Sequence, residues 1–188
     1  MNNELNKQQT NLPDLISLLR YEDERNKKST NRFKIFYFVF GAVYAFVFIL
    51  HFLFDEDNAW TDSLSGIFYV LAWITFALLF RKANKEYSQI DYSLPTILML
   101  RKAAQRYKLF QPKLRIAIGA VILINIASSL NKVVIPMTQS AISDIIQFQI
   151  IFAIAISVGF IIGVLVWRKR QKPIRDNILA LIDELENY

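Results

Sequence analysis

Long apolar runs alternate with polar connections along this chain, and the alternation predicts its architecture. Residues 35–54 and 64–80 form one pair of apolar runs, and residues 116–135 and 148–167 form a second. A helix of about twenty residues covers roughly 30 Å, the thickness of the bilayer hydrocarbon. The run over 64–80 is shorter and lies near the lower limit for a span. The expected fold class is therefore all-α, a polytopic membrane protein with four transmembrane helices arranged as two hairpins. Its divisions are an N-terminal segment over 1–34, a first hairpin over 35–80, a basic connection over 81–115, a second hairpin over 116–167 and a C-terminal segment over 168–188.

The polar segments have their own periodicity. Leu12, Leu15, Ile16 and Leu19 follow i, i+3, i+4, i+7 and predict an amphipathic helix over 11–21, capped by Asn11 with Pro13 early in its first turn. The following YEDERNKKSTNR is charged of both signs and reads either as a solvated continuation of that helix or as a linker. Residues 93–110 predict a second amphipathic helix, with Ser93 as its cap and Pro95 in its first turn. Ile97, Leu100, Ala104 and Tyr107 form its apolar stripe, and Arg101, Lys102, Gln105 and Lys108 its polar face. At the C-terminus Ile174, Ile178, Leu181 and Leu185 alternate steps of four and three, a heptad-like seam with Asp183, Glu184 and Glu186 opposite it. About two heptads are too short to stand alone as a coiled coil. Acids would also be repelled by anionic headgroups, so this seam is expected to bury itself against protein, either a neighbour in the chain or a partner's groove.

Charge supplies the orientation. Lys and Arg number seven in 1–34, nine in 81–115 and five in 168–188, whereas Lys132 alone lies in an outer loop. Such a bias over short loops predicts that both termini and the basic connection stay cytoplasmic. The net charge of +6 gathers beside the ends of the apolar runs, as contact with membrane lipid requires, and does not point to nucleic acid. About thirty polar residues precede the first apolar run, which is expected to be a retained anchor. Trp60 and Trp167 sit where interfacial anchors belong.

Catalytic chemistry has little to work with. The chain has one His and no Cys, which excludes disulfides, thiolate metal sites and Cys nucleophiles. It has no nucleophile elbow, zinc-protease motif or phosphate loop. No catalytic, metal or cofactor residues are assigned, and the chain is read as non-enzymatic. His51 with Asp55 reads as an interfacial helix end. The acids Asp55, Glu56, Asp57 and Asp62 lack the spacing of a calcium loop and read as the ordinary acidic side of a positive-inside protein.

Within the spans, Asn125, Ser128 and Ser129 share one face at i, i+3, i+4. They read as interhelical hydrogen-bonding groups, with a solute pathway as the alternative. Ala155, Gly159 and Gly163 repeat every four residues, a pattern that permits close helix approach within the chain or in a homo-oligomer. The halves also echo one another. Asn-Leu-Pro-Asp at 11–14 parallels Ser-Leu-Pro-Thr at 93–96, Gly-Ala-Val recurs at 41–43 and 119–121, and Arg-Lys at 81–82 and 168–169. The readings are a parallel duplication or chance similarity between apolar sequences.

The stretch IDYSLPTILMLRKAAQRYKLF, with the four-span layout around it, resembles small polytopic proteins encoded beside extracytoplasmic-function sigma factors in some Gram-negative bacteria. Some of those are thought to act as membrane-bound anti-sigma factors. The resemblance implies a cytosolic sigma-factor partner but transfers no binding residues, and the Cys/His zinc motif of many anti-sigma domains is absent here. The expected function is thus an inner-membrane regulator or adaptor holding a cytosolic protein. Its contact candidates are Leu12, Leu15, Ile16 and Leu19, and Ile174, Ile178, Leu181 and Leu185. The alternative is a small oligomeric channel or transporter subunit.

Overall fold

Four helices long and apolar enough to cross a membrane run through the computed structural model, which describes residues 12–54, 59–133 and 138–187. The all-α fold and the multi-pass character expected from the hydropathy pattern are both present. Asn11, and Asp55, Glu56 and Asp57 of the acidic loop, lie outside the described residues.

Helix α1 is Leu12–Phe54, and its 43 residues would extend roughly 65 Å. The amphipathic segment, the charged stretch and the first span are therefore one continuous helix. Between Pro13 in the first turn and Gly41 there is neither Gly nor Pro to break it. The charged stretch is laced by Glu22–Arg25 and Glu24–Lys28 pairs at helical spacing. Its half-buried positions recur every three or four residues, at Asn26, Thr30, Lys34, Tyr37, Gly41 and Tyr44, so one face runs on into the membrane.

Helix α2, Trp60–Ser88, carries Arg81, Lys82 and Lys85 on the same rod beyond the apolar span. Against α1 it forms an aromatic seam: Tyr37 stacks on Phe76 and Phe80 at 5.0 and 5.2 Å, and Phe40 meets Trp73 edge-on at 4.7 Å. Two glycines allow this approach. A Cβ at Gly41 would stand 3.2 Å from that of Trp73, and one at Gly66 would overlap the Phe48 ring.

Helix α3 is Thr96–Arg106, shorter than the expected 93–110. Ser93 is not its cap, because its hydroxyl and backbone N–H both donate to Asp91, at 2.6 and 2.8 Å. Leu94 precedes Pro95, a position biased away from helical geometry, so the first helical residue is Thr96. The buried stripe gains Met99 and Ala103 beside Leu100, Ala104 and Tyr107, and Ile97 is only partly covered.

Helix α4, Pro112–Leu130, ends before the expected limit of its span, with Asn131–Val133 turning back onto Ala127, Ser129 and Leu130. Helix α5, Gln139–Glu186, begins where the Thr138 hydroxyl accepts from the Ala141 N–H at 3.2 Å. It then runs 48 residues through Pro173, so the fourth span and the C-terminal segment are also one helix. A mid-helix proline loses a backbone bond and strains the preceding turn. Docking of Ile174, Ile178 and Ile182 on their neighbours offsets that cost.

Packing follows chain order through the membrane part, α1 on α2 and α2 on α4, whereas α5 lies chiefly against α3. One apolar core stands beyond the spans. It joins Leu15 and Leu19 of α1, the α3 stripe, and Ile174, Ile178 and Ile182 of α5. The start of α1 and the last turns of α5 therefore share one cap at the same end of the bundle.

Candidate functional site

The cap gathers its polar chemistry around one carboxylate. Leu15, Leu19 and Asp23 lie at successive four-residue steps on α1, so the face that enters the cap core as leucine ends in an acid. Asp23 keeps only 3% of its exposure. An isolated ion there would be strongly unfavourable, and the structure compensates it on both oxygens. Arg106 Nη2 and the Tyr92 hydroxyl each donate to Oδ2 at 2.8 Å, and the Tyr107 hydroxyl donates to Oδ1 at 2.9 Å. Arg106 and Tyr107 close α3, and Tyr92 lies in the turn that precedes it. Asp23 is thus the pin between α1 and α3.

Neighbouring bonds extend the pin to α5. Trp167 Nε1 donates to the Tyr107 carbonyl at 2.9 Å, so the residue expected as an interfacial anchor also holds the C-terminal end of α3. Glu22 accepts from Arg170 of α5 at 3.1 Å, and Arg101 of α3 pairs with Glu186 at 2.6 Å. The last pair is exposed and contributes little to stability. The Asp23–Arg106 pair is mostly buried, and removing one partner of such a pair costs about 3–5 kcal/mol.

This environment shifts the surrounding tyrosines in one direction. Burial first, and then the Asp23 charge, push the Tyr87 hydroxyl up to about 12. Burial also raises Tyr92 and Tyr107, and hydrogen bonding to Asp23 together with its charge adds to both shifts. At neutral pH Tyr92 and Tyr107 stay protonated and remain donors. In the exposed turn before α3, the bonds from Ser93 hold Asp91 below the usual carboxylate range.

The contact candidates lie mostly inside the cap. Leu15, Leu19, Ile174 and Ile178 are buried, and Leu12, Ile16 and Leu181 are partly covered. Leu185, in the last turn of α5, is 38% exposed, and Ile182 takes the core position expected of the heptad seam. Of the two alternatives for that seam, the structure contains the neighbour within the chain.

The membrane candidates divide. Asn125 and Gln149 exchange side-chain amide bonds at 3.0 and 3.3 Å, and Gln149 also donates to the Ser129 hydroxyl at 2.8 Å, joining α4 to α5. Ser128 shares a 2.6 Å bond with the Tyr69 hydroxyl, and Ser65 donates to the Ala127 carbonyl at 2.8 Å, joining α4 to α2. The Asn125, Ser128 and Ser129 face thus meets other helices. Ala155, Gly159 and Gly163 do not. All three are exposed, and among the described residues a Cβ at either glycine would meet no atom of another helix within 4 Å.

Sequence reasoning passed over Asp23, Arg106, Tyr92 and Gln149. The signal for Asp23 was its place four residues after Leu19, on the buried side of a segment dominated by charge. Among the described residues no group of three or more His, Asp or Glu is placed to hold a metal ion. Comparison of the chain with protein-family models, with characterised proteins and with solved structures finds no match.

Proposed function

We propose that this chain is a non-enzymatic regulator or adaptor of a bacterial inner membrane, with both termini cytoplasmic, and that its cap holds a cytosolic protein near the bilayer. The observation that carries the reading is the cap itself: a separately cored helical unit, built from three segments far apart in sequence, at one end of the membrane helices. The basic residues that flank the spans at this end support its cytoplasmic placement. The likeness of the 90–110 segment to anti-sigma-like proteins makes a sigma factor the preferred partner.

Burial of the leucine and isoleucine stripes changes how such a partner would be held. It binds the outer surface of the closed cap, where Leu18 and Leu179 remain 38% and 42% exposed, and leaves the core stripes in place. The bonding of Asn125 to Gln149 supports a packing role for that residue and favours the adaptor over the transport reading.

Photo-crosslinking in growing cells tests this. A photoreactive residue at Leu18 or Leu179 is expected to form an adduct with one cytosolic protein that copurifies with RNA polymerase. The same residue at Ile161, exposed along the α5 span, is expected to give none. Adducts with lipid alone from both cap positions contradict the proposal.

A further inference from the structure

Where the basic end of α2 meets α3 and the start of α4, a cleft of about 520 Å³ opens at the edge of the cap. Its cations are Lys82, Lys102, Arg106 and Lys113, and Glu86 is the acid among its lining residues. Glu86 is taken by Lys113, with which it forms an ion pair. Arg106 gives Nη2 to Asp23, yet its Nε is buried with no hydrogen-bond partner. Lys82 and Lys102 are exposed and have no ion pair among the described residues. The cleft therefore holds two ammonium groups outside any ion pair, Lys82 and Lys102, the second with the Asp91 charge nearby, beside the Lys113 ammonium that Glu86 holds. That donor set suits an anion with several acceptor oxygens, above all a phosphate.

Position identifies the source of the phosphate. Lys82 follows Phe80, the last apolar residue of the second span, by two residues. Ile116, on the opposite wall, belongs to the first turns of the third span. The cleft thus sits where spans meet water, the depth at which a bilayer presents phosphodiester headgroups to basic residues. We propose that it binds the headgroup of an anionic phospholipid, with Lys82 and Lys102 as its charge partners. Lys82 belongs to α2 and Lys102 to α3, so one headgroup held by both ties the second span to the cap. This inference does not depend on whether the cap holds a protein partner.

The test uses the purified full chain in detergent, with retained lipid measured by native mass spectrometry. Phosphatidylglycerol is expected to be retained in preference to phosphatidylcholine. Retention should fall about fivefold for each lysine removed in Lys82→Gln and Lys102→Gln. Both side chains are exposed, so neither change threatens the fold. Lys28→Gln, on the charged stretch of α1 and outside the cleft, should retain lipid like the parent. Phosphatidylglycerol should also raise the melting temperature of the parent, and fail to raise that of the double variant. Equal retention of both lipids, or unchanged retention in the double variant, overturns the proposal. Displacement of phosphatidylglycerol by millimolar inorganic phosphate also overturns it, because the cleft would then be a site for a free anion.

Discussion

Ile178 in the cap is fully buried, whereas Ile151, Ile161 and Leu165, earlier on the same helix, keep 67%, 57% and 57% of their exposure. The residue types are alike and the backbone is continuous, so the solvent makes the difference. In water, amphipathic stripes are driven together at roughly 25 cal/mol for each Å² of apolar surface covered. In hydrocarbon that drive is absent, and helices associate through close approach and polar bonds. The membrane half accordingly meets through Gly41, Gly66, the aromatic seam and the Asn125–Gln149 pair, and leaves its large aliphatic side chains facing outward. The cap hides the aliphatics of its stripes, leaves Leu18, Leu98, Leu179 and Leu185 outside, and keeps one ion pair beside its core.

The sharpest way to break this contrast is at the pin. Asp23→Ala is expected to destabilise the cap by about 3–5 kcal/mol, because it leaves Arg106 buried without its counter-charge. Tryptophan emission during denaturation in detergent, read in a Trp60→Phe, Trp73→Phe background that leaves Trp167 alone, would follow the loss. Pairing Asp23→Leu with Arg106→Met should recover part of it, since no charge is stranded, while the Tyr92 and Tyr107 hydroxyls still lose their acceptor.

Next in size is truncation of the aliphatic core. Ile178→Ala should cost about 2–5 kcal/mol, while Ile161→Ala on the same helix should be near neutral in a lipid environment. Equal losses at the two positions would erase the distinction between cap and span.

Alkaline pH should weaken the cap and spare the spans. An unfolded tyrosine ionises near 10, and Tyr87 in the folded cap near 12, so between these values the native state holds a proton that the unfolded chain has lost. Stability is complete below about pH 10 and falls as pH rises towards 12. The difference in 295 nm absorbance between the parent and Tyr87→Phe should place the Tyr87 ionisation near 12 in the folded cap. A small effect belongs to the membrane half, where Tyr69→Phe gives up the one bond to Ser128 and should cost about 0.6–2 kcal/mol, measured by resistance to denaturing detergent.

Much of the fold was legible because hydropathy over twenty residues averages out local detail. The four spans stand close to where the apolar runs lie, and the Asn125, Ser128 and Ser129 face meets other helices as its spacing implied. Helix boundaries were harder to read. Nothing local marks α1 and α5 as continuous across the edge of their spans, and α5 runs unbroken through Pro173. Side-chain chemistry was harder still. Ser93 had the type and position of a cap, but Asp91, two residues earlier, competes for its hydroxyl. Asp23 stands among Glu22, Glu24 and Arg25, and composition does not reveal that only Asp23 turns towards the core. Its bonding partners are Tyr92, Arg106 and Tyr107, more than sixty residues away, which no local pattern connects to it.

Folding of these distant segments into one cap is the claim on which the rest stands, and a single cross-link tests it. The chain has no cysteine of its own, so Arg101→Cys with Glu186→Cys provides the only two thiols. The native side chains lie 2.6 Å apart across 85 residues of sequence. A short membrane-permeant bis-maleimide applied to intact membranes is predicted to join them within one molecule, giving a compact species at monomer mass. Labelling of both cysteines without a link, or a link only between separate copies, would contradict the account.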